Sequence, residues 1–193
     1  MTTTSPLLII VLALAVVFLV YMKVTTPYLK YSTEEFWETS SVDDAYAIPE
    51  EALAPNNKHG GVLMFAASAS EDPQILSVLV TRGALINEKE EMFGATALSA
   101  AASSNSNAEI IDELIRLGAE VDLQTDIDKK TALLIAAEFN STPEITERLL
   151  HHGADIEYRD TQGKSALDLA KSAKNEAVVA VLEGYIADKQ RQQ

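Results

Sequence analysis

Residues 82–90 read "RGALINEKE", residues 117–125 "LGAEVDLQT" and residues 152–160 "HGADIEYRD". Gly83, Gly118 and Gly153 stand 35 residues apart, and an alanine follows each. An apolar stretch precedes each glycine: "QILSVLV" from 74, "EIIDELI" from 109 and "EITERLL" from 144, with a fourth, "AVVAVLE", from 177. A glycine after such a stretch marks a helix end, because it enters the left-handed conformation that closes a helix without steric penalty. Upstream lies a second recurring segment: "GVLMFAA" at 61, "TALSAAA" at 96, "TALLIAA" at 131 and "SALDLAK" at 165. Two helices per unit and a fixed period predict an all-α stacked array.

Local chemistry supports the register. Thr96, Thr131 and Ser165 stand where a side-chain oxygen caps the first helix, and Asp72, Asn107 and Thr142 where one caps the second. Pro73 and Pro143 then occupy the first turn, where a missing N–H costs nothing. The alanine pairs 66–67, 101–102 and 136–137 let neighbouring units approach closely. In the last unit the pair becomes Ala170-Lys171, and a charge on the stacking face marks the end of an array.

The pattern resembles the ankyrin repeat, on the strength of "EMFGATALSAAA" and "DTQGKSALDLA" for its first half and "LLHHGADIEYRD" and "LIRLGAEVDLQTD" for its second. Residues 58–186 form four units under this resemblance: 58–92, 93–127, 128–161 and 162–186. The family's Thr-Pro-Leu-His box is eroded. Its proline is replaced by Val or Ala, and its histidine by Met64, Ser99, Leu134 or Asp168. That histidine makes hydrogen bonds between repeats in the family, so part of that network is expected to be missing. The first unit has Gly61 in place of the capping threonine, and "SEDP", "NSNA" and "NSTP" each carry one extra residue between helices.

The rest of the chain is different material. Residues 1–22 contain no charged side chain, and Leu7–Met22 is apolar throughout, "LLIIVLALAVVFLVYM". Sixteen helical residues span about 24 Å, slightly less than a bilayer core. With 1–5 as a tail, 6–24 reads as a transmembrane helix or signal anchor; a cleaved signal peptide fits less well for want of a basic n-region. A single-pass protein of the bacterial inner membrane is expected. Lys23 and Lys30 favour a cytoplasmic body, with a periplasmic body as the alternative. Residues 25–57 read as a juxtamembrane segment and linker. In it Ser32 and Glu35 make a capping-box pattern. Tyr21 and Tyr28 suit the bilayer interface, and Phe36 and Trp37 suit the open end of the first repeat. "IPEEALAPNN" reads as linker, and 187–193 as a C-terminal tail.

Composition narrows the function. The net charge of −14 repels a phosphate backbone, which argues against nucleic-acid binding. No cysteine is present to serve as nucleophile or zinc ligand. His151 and His152 lack a third ligand, and the family resemblance implies solvent-facing positions for both. "GKS" at 163–165 fails as a phosphate loop because Tyr158 occupies the earlier glycine position. "NST" at Asn140 is a glycosylation sequon, relevant only in a eukaryotic secretory lumen. No catalytic residue, cofactor, metal or small-molecule substrate is expected.

The resemblance implies a protein partner bound along turn tips and first helices. Its contact positions fall on Glu91, Met92, Phe93, Ile127, Asp128, Lys129, Arg159, Gln162 and Lys164 at the tips, and on Ser103, Glu138 and Phe139 at helix ends. Met92, Phe93 and Ile127 are apolar where solvent is expected; they either anchor a partner or fold beneath their turns. Small bacterial proteins of this kind, with a hydrophobic N-terminus, imply two narrower roles: oxidative-stress defence in the envelope, or immunity against a secreted toxin.

Overall fold

The computed structural model describes residues 29–53 and 61–192. The expected membrane helix over 6–24, with Tyr21 and Tyr28, lies outside them. Among the described residues there is no strand, and no helix is long and apolar enough to cross a membrane.

Four helix pairs carry the array. They are α4 (Val62–Ala69) with α5 (Pro73–Thr81), α6 (Ala97–Ser104) with α7 (Glu109–Arg116), α8 (Ala132–Phe139) with α9 (Pro143–His151), and α10 (Ala166–Ala173) with α11 (Glu176–Arg191). First helices stack on first helices and second on second, giving two rows with one continuous core between them. Ala66, Ala67, Ala101, Ala102, Ala136 and Ala137 are fully buried, so the inner row packs at close range. Lys171, at the corresponding place in the last unit, is exposed and pairs with Glu183 of α11 at 2.8 Å. The final helix runs past residue 186 to Arg191.

The Gly-Ala corners close each second helix in the same way. Gly83, Gly118 and Gly153 have φ of 111°, 100° and 87°. Each glycine N–H reaches the carbonyl three residues back, and the following alanine N–H the carbonyl five back, as in Ala84 to Leu79 and Ala119 to Leu114. This double closure satisfies two otherwise orphaned carbonyls.

The caps at the other helix ends form unevenly. Thr96 and Ser165 each make a reciprocal box, with Ser99 and Asp168. Hydrogen bonds from Ser165 hold the Asp168 carboxyl below its usual range. Thr131, expected to cap α8, makes no side-chain cap bond, and its buried Oγ1 has no partner. Its third helical residue is Leu134, which has nothing to return to the cap N–H. Replacing Thr131 with valine should therefore be neutral or stabilising by up to about 1 kcal/mol. Thr96→Val should lose about 1 kcal/mol. Urea unfolding midpoints compare the two; equal losses would mean that the Thr131 hydroxyl is bonded after all. Thr142 also fails to cap α9, and Asn140 Oδ1 accepts its N–H at 2.8 Å instead. Asp72 does cap, accepting from Gln74 N; the cap position of α7 is Ala108, and Asn107, one residue earlier, accepts from Glu109 N.

Hydrogen bonds between repeats run through a different residue from the family's histidine. Asn105, Asn140 and Asn175 are spaced 35 apart, each in the turn between its two helices. Asn105 Nδ2 donates to the Ala67 and Ser70 carbonyls at 2.8 and 2.9 Å. Asn140 Nδ2 donates to the Asn105 carbonyl at 2.9 Å, and Asn175 Nδ2 to the Asn140 carbonyl at 2.7 Å. The sequon asparagine is thus a buried rung. A second ladder joins the corners: Asn87 Oδ1 accepts from Glu120 N, and Asp122 Oδ1 from Asp155 N. His152 departs from its expected solvent-facing role, since its Nε2 lies 2.7 Å from Asp112 Oδ1 of the preceding repeat. Asp112 is also held by Arg148 at 3.0 Å.

Residues 29–53 correct the linker reading. A 3-10 turn (Leu29–Ser32) leads into α1 (Glu34–Glu38), α2 (Val42–Tyr46) and α3 (Glu50–Leu53), and this segment packs on α4 and α5. Ile48, Ala52 and Leu53, read as linker, are buried in the common core. Proline at 49 opens a helix there, a position that tolerates it. Thr33, one residue after the expected Ser32, stands at the cap of α1 and makes no side-chain cap bond; a capping box forms between Ser41 and Asp44. Trp37 is 1% exposed, donates from Nε1 to the Tyr31 carbonyl at 2.9 Å, and stacks edge-on with Phe36. Phe36 packs partly buried against the same core, so both aromatics cover the first repeat as expected. Arg82 of the first corner donates to the Ala45 carbonyl at 2.8 Å, tying cap to array.

Candidate functional site

The turn tips between repeats carry the residues of interest, and backbone bonds join tip to tip. Asp126 N donates to the Phe93 carbonyl at 2.9 Å, and Thr161 N to the Asp128 carbonyl at 3.1 Å. Gly94 permits the first junction: its φ is +70°, and a Cβ there would lie 2.7 Å from Asp126 N. Glu90 stiffens the same tip by accepting the N–H groups of Met92 and Phe93. Phe93 and the tip bearing Ile127 are thereby fixed side by side.

Between these tips and the ends of α6 and α8 lies a groove of about 470 Å³. Phe93 and Ile127 form its tip side, Phe139 and Ile135 its α8 side, and Ala100 and Ser103 its α6 side. Phe93, Ile127 and Phe139 remain 55%, 56% and 62% exposed, so the groove is shallow and open. The alternative in which Phe93 and Ile127 fold beneath their turns does not occur. Met92, 71% exposed, extends the apolar surface on the first tip.

The polar part of the groove centres on Lys130. Its side chain is 12% exposed and its ammonium is hydrogen-bonded to Glu138, 3.5 Å from Asp128 and 5.7 Å from the Phe139 ring centroid. Burial is the largest influence on this lysine and lowers its pKa; Glu138 and then Asp128 outweigh burial, so the net shift is upward. Lys130 is a fixed ammonium at neutral pH.

Of the expected contact residues, the groove gathers Phe93, Ser103, Ile127, Asp128 and Phe139, with Glu138 at its edge through Lys130. Glu91 is exposed on the same tip as Phe93 and does not line the groove. Lys129 lies elsewhere, lining a separate cleft with Lys89, Gln124 and His152. Arg159, Gln162 and Lys164 belong to the next tip and do not line the groove. There Arg159 donates to the Gly163 carbonyl at 3.0 Å, and Asp160 Oδ1 accepts from the N–H groups of Gln162 and Lys164. The sequence reading missed Lys130, Thr125, Ile135, Ala95 and Ala100. The repeat register held a signal for Lys130, because it occupies the position of Lys164 one unit earlier.

Among the described residues no cluster of three or more His, Cys, Asp or Glu can hold a metal. No curated protein matches the chain. The sequence model described as "Ankyrin repeats (3 copies)" matches residues 63–160 and again 99–193, together more than half of the chain. With the period, the Gly-Ala corners and the two stacked rows in agreement with that match, the chain belongs to the ankyrin-repeat family.

Proposed function

We propose that the chain is a non-catalytic, membrane-tethered module that docks a partner protein in the groove between its second and third repeats. One observation carries the docking site: Met92, Phe93, Ile127 and Phe139 are four of the six exposed large hydrophobics among the described residues, and three of them line one groove. Apolar side chains brought together in water at tips held by backbone bonds are what a binding hot spot requires. The uncharged, apolar stretch through residue 22 supports the tether, which would confine the search for a partner to the membrane surface. A reporter fused after Gln193 tests the side: a cytoplasmic body fits Lys23 and Lys30, and an exported one rejects that orientation.

A photo-crosslinking amino acid at position 139 of the full chain tests the docking surface. Position 147, where Glu147 is exposed on the outer row, is the control. A single protein crosslinked from 139 and not from 147 is expected. Phe139→Ala should weaken that complex at least about tenfold. Equal crosslinking from both positions, or none from 139, would reject the groove.

A further inference from the structure

We infer that the groove selects a partner segment carrying a cationic side chain directly beside its apolar anchor. This rests on the groove being the docking surface. Lys130 is the cation of the groove lining, and it is covered and already committed to Glu138, Asp128 and the Phe139 ring. Two carboxylates face one ammonium, so the polar side of the groove keeps a negative charge. Asp128 presents it: its side chain is 56% exposed, and its contact with Lys130 is a loose 3.5 Å. Lys129 lines a neighbouring cleft and is not part of the groove lining. Glu91, exposed on the neighbouring tip, adds to the same sign, and the whole chain carries −14.

The aromatic lining points the same way. The Phe139 ring accepts the Lys130 ammonium and is still 62% exposed, and Phe93 is 55% exposed across the groove. A guanidinium or ammonium laid against these rings can keep contact with Asp128 while its alkyl stem covers Ile127. An acidic segment would bring like charge against Asp128, and Lys130, the cation of the groove lining, is covered.

The test pans a random peptide display library against the full chain in detergent, followed by binding of the enriched peptides, resynthesised with a fluorophore. Enriched peptides are expected to pair an aromatic or aliphatic residue with Lys or Arg. Phe139→Ala should weaken them at least about tenfold, and Asp128→Asn about threefold. Raising salt from about 50 to 500 mM should weaken them several-fold. Both residues are exposed, and far-UV circular dichroism checks that the variants stay folded. Peptides that need Phe139 yet lack basic residues, or that ignore Asp128→Asn, overturn this inference and leave the docking site standing. Peptides indifferent to Phe139→Ala, or no enrichment at all, overturn both.

Discussion

Trp37→Ala should lower the stability of the full chain by about 3–5 kcal/mol, the range for emptying a buried tryptophan site. For a chain of this size that is a fall of roughly 10 °C in melting temperature. The indole is 1% exposed, its N–H is satisfied by the Tyr31 carbonyl, and its cluster-mates come from both the cap and the first repeat. Truncation removes apolar burial, leaves the Tyr31 carbonyl without that donor, and loosens α1 from α4. In a linear array each unit is supported only by its neighbours, so the loss should fray the first repeat before the others. Trp37→Phe keeps most of the volume and should lose clearly less. Thermal unfolding followed by far-UV circular dichroism measures the main effect. Trp37 is also the only tryptophan, so its emission in the parent protein reports whether the cap is docked. A blue-shifted emission that resists acrylamide is expected. An unchanged melting temperature would show that residues 29–53 are not part of the folded array.

The features legible in the sequence share a cause: each is settled within one unit. A glycine after a helix, a proline in a first turn and a hydroxyl before "AL" depend on their immediate neighbours, and the period repeats them. Thr96 and Ser165 behave as such local chemistry demands. Thr131 does not, because its box needs a partner at position 134 and finds leucine. What was hidden depends on stacking. Ile48 and Leu53 look like linker beside Pro49, and they are buried because the first repeat presents an open apolar end. Phe93, Ile127 and Phe139 lie on two turns and a helix, and their adjacency exists only once units stand side by side. Lys130 reads as an exposed tip lysine until Glu138, two turns of helix away, folds over it.

Asn140→Ala should cost about 2–6 kcal/mol, more than truncating an exposed polar residue of the array. The side chain is 5% exposed and serves two repeats at once. Its Nδ2 satisfies the Asn105 carbonyl of the unit before, and its Oδ1 the Thr142 N–H that starts its own second helix. Alanine orphans both groups, each worth about 1–3 kcal/mol when buried without a partner. The neighbouring rungs, Asn105 and Asn175, hold other carbonyls and cannot move over to help. Asn107→Ala is the contrast: water reaches its partner atoms, and about 1 kcal/mol is expected. Asn140→Asp separates the two bonds. It keeps an acceptor for Thr142 but places a carboxylate oxygen against the Asn105 carbonyl, so its folded-state pKa is raised. Its penalty should grow as pH rises above the carboxyl's unfolded value and shrink in acid, where the protonated form can donate. Urea midpoints of Asn140→Ala and Asn140→Asp at neutral and mildly acidic pH give the measurement. An Asn140→Ala variant as stable as Asn107→Ala, or an Asn140→Asp penalty that does not change with pH, would mean that the rung does not join the repeats. The second and third repeats would then be joined by apolar contact and by their other polar bonds, such as Asp155 N to Asp122 and His152 to Asp112. Asn105 and Asn140 directly follow α6 and α8, the helices that carry Ser103 and Phe139, so loss of the rung between them should weaken peptide binding at the groove even at temperatures where the chain stays folded.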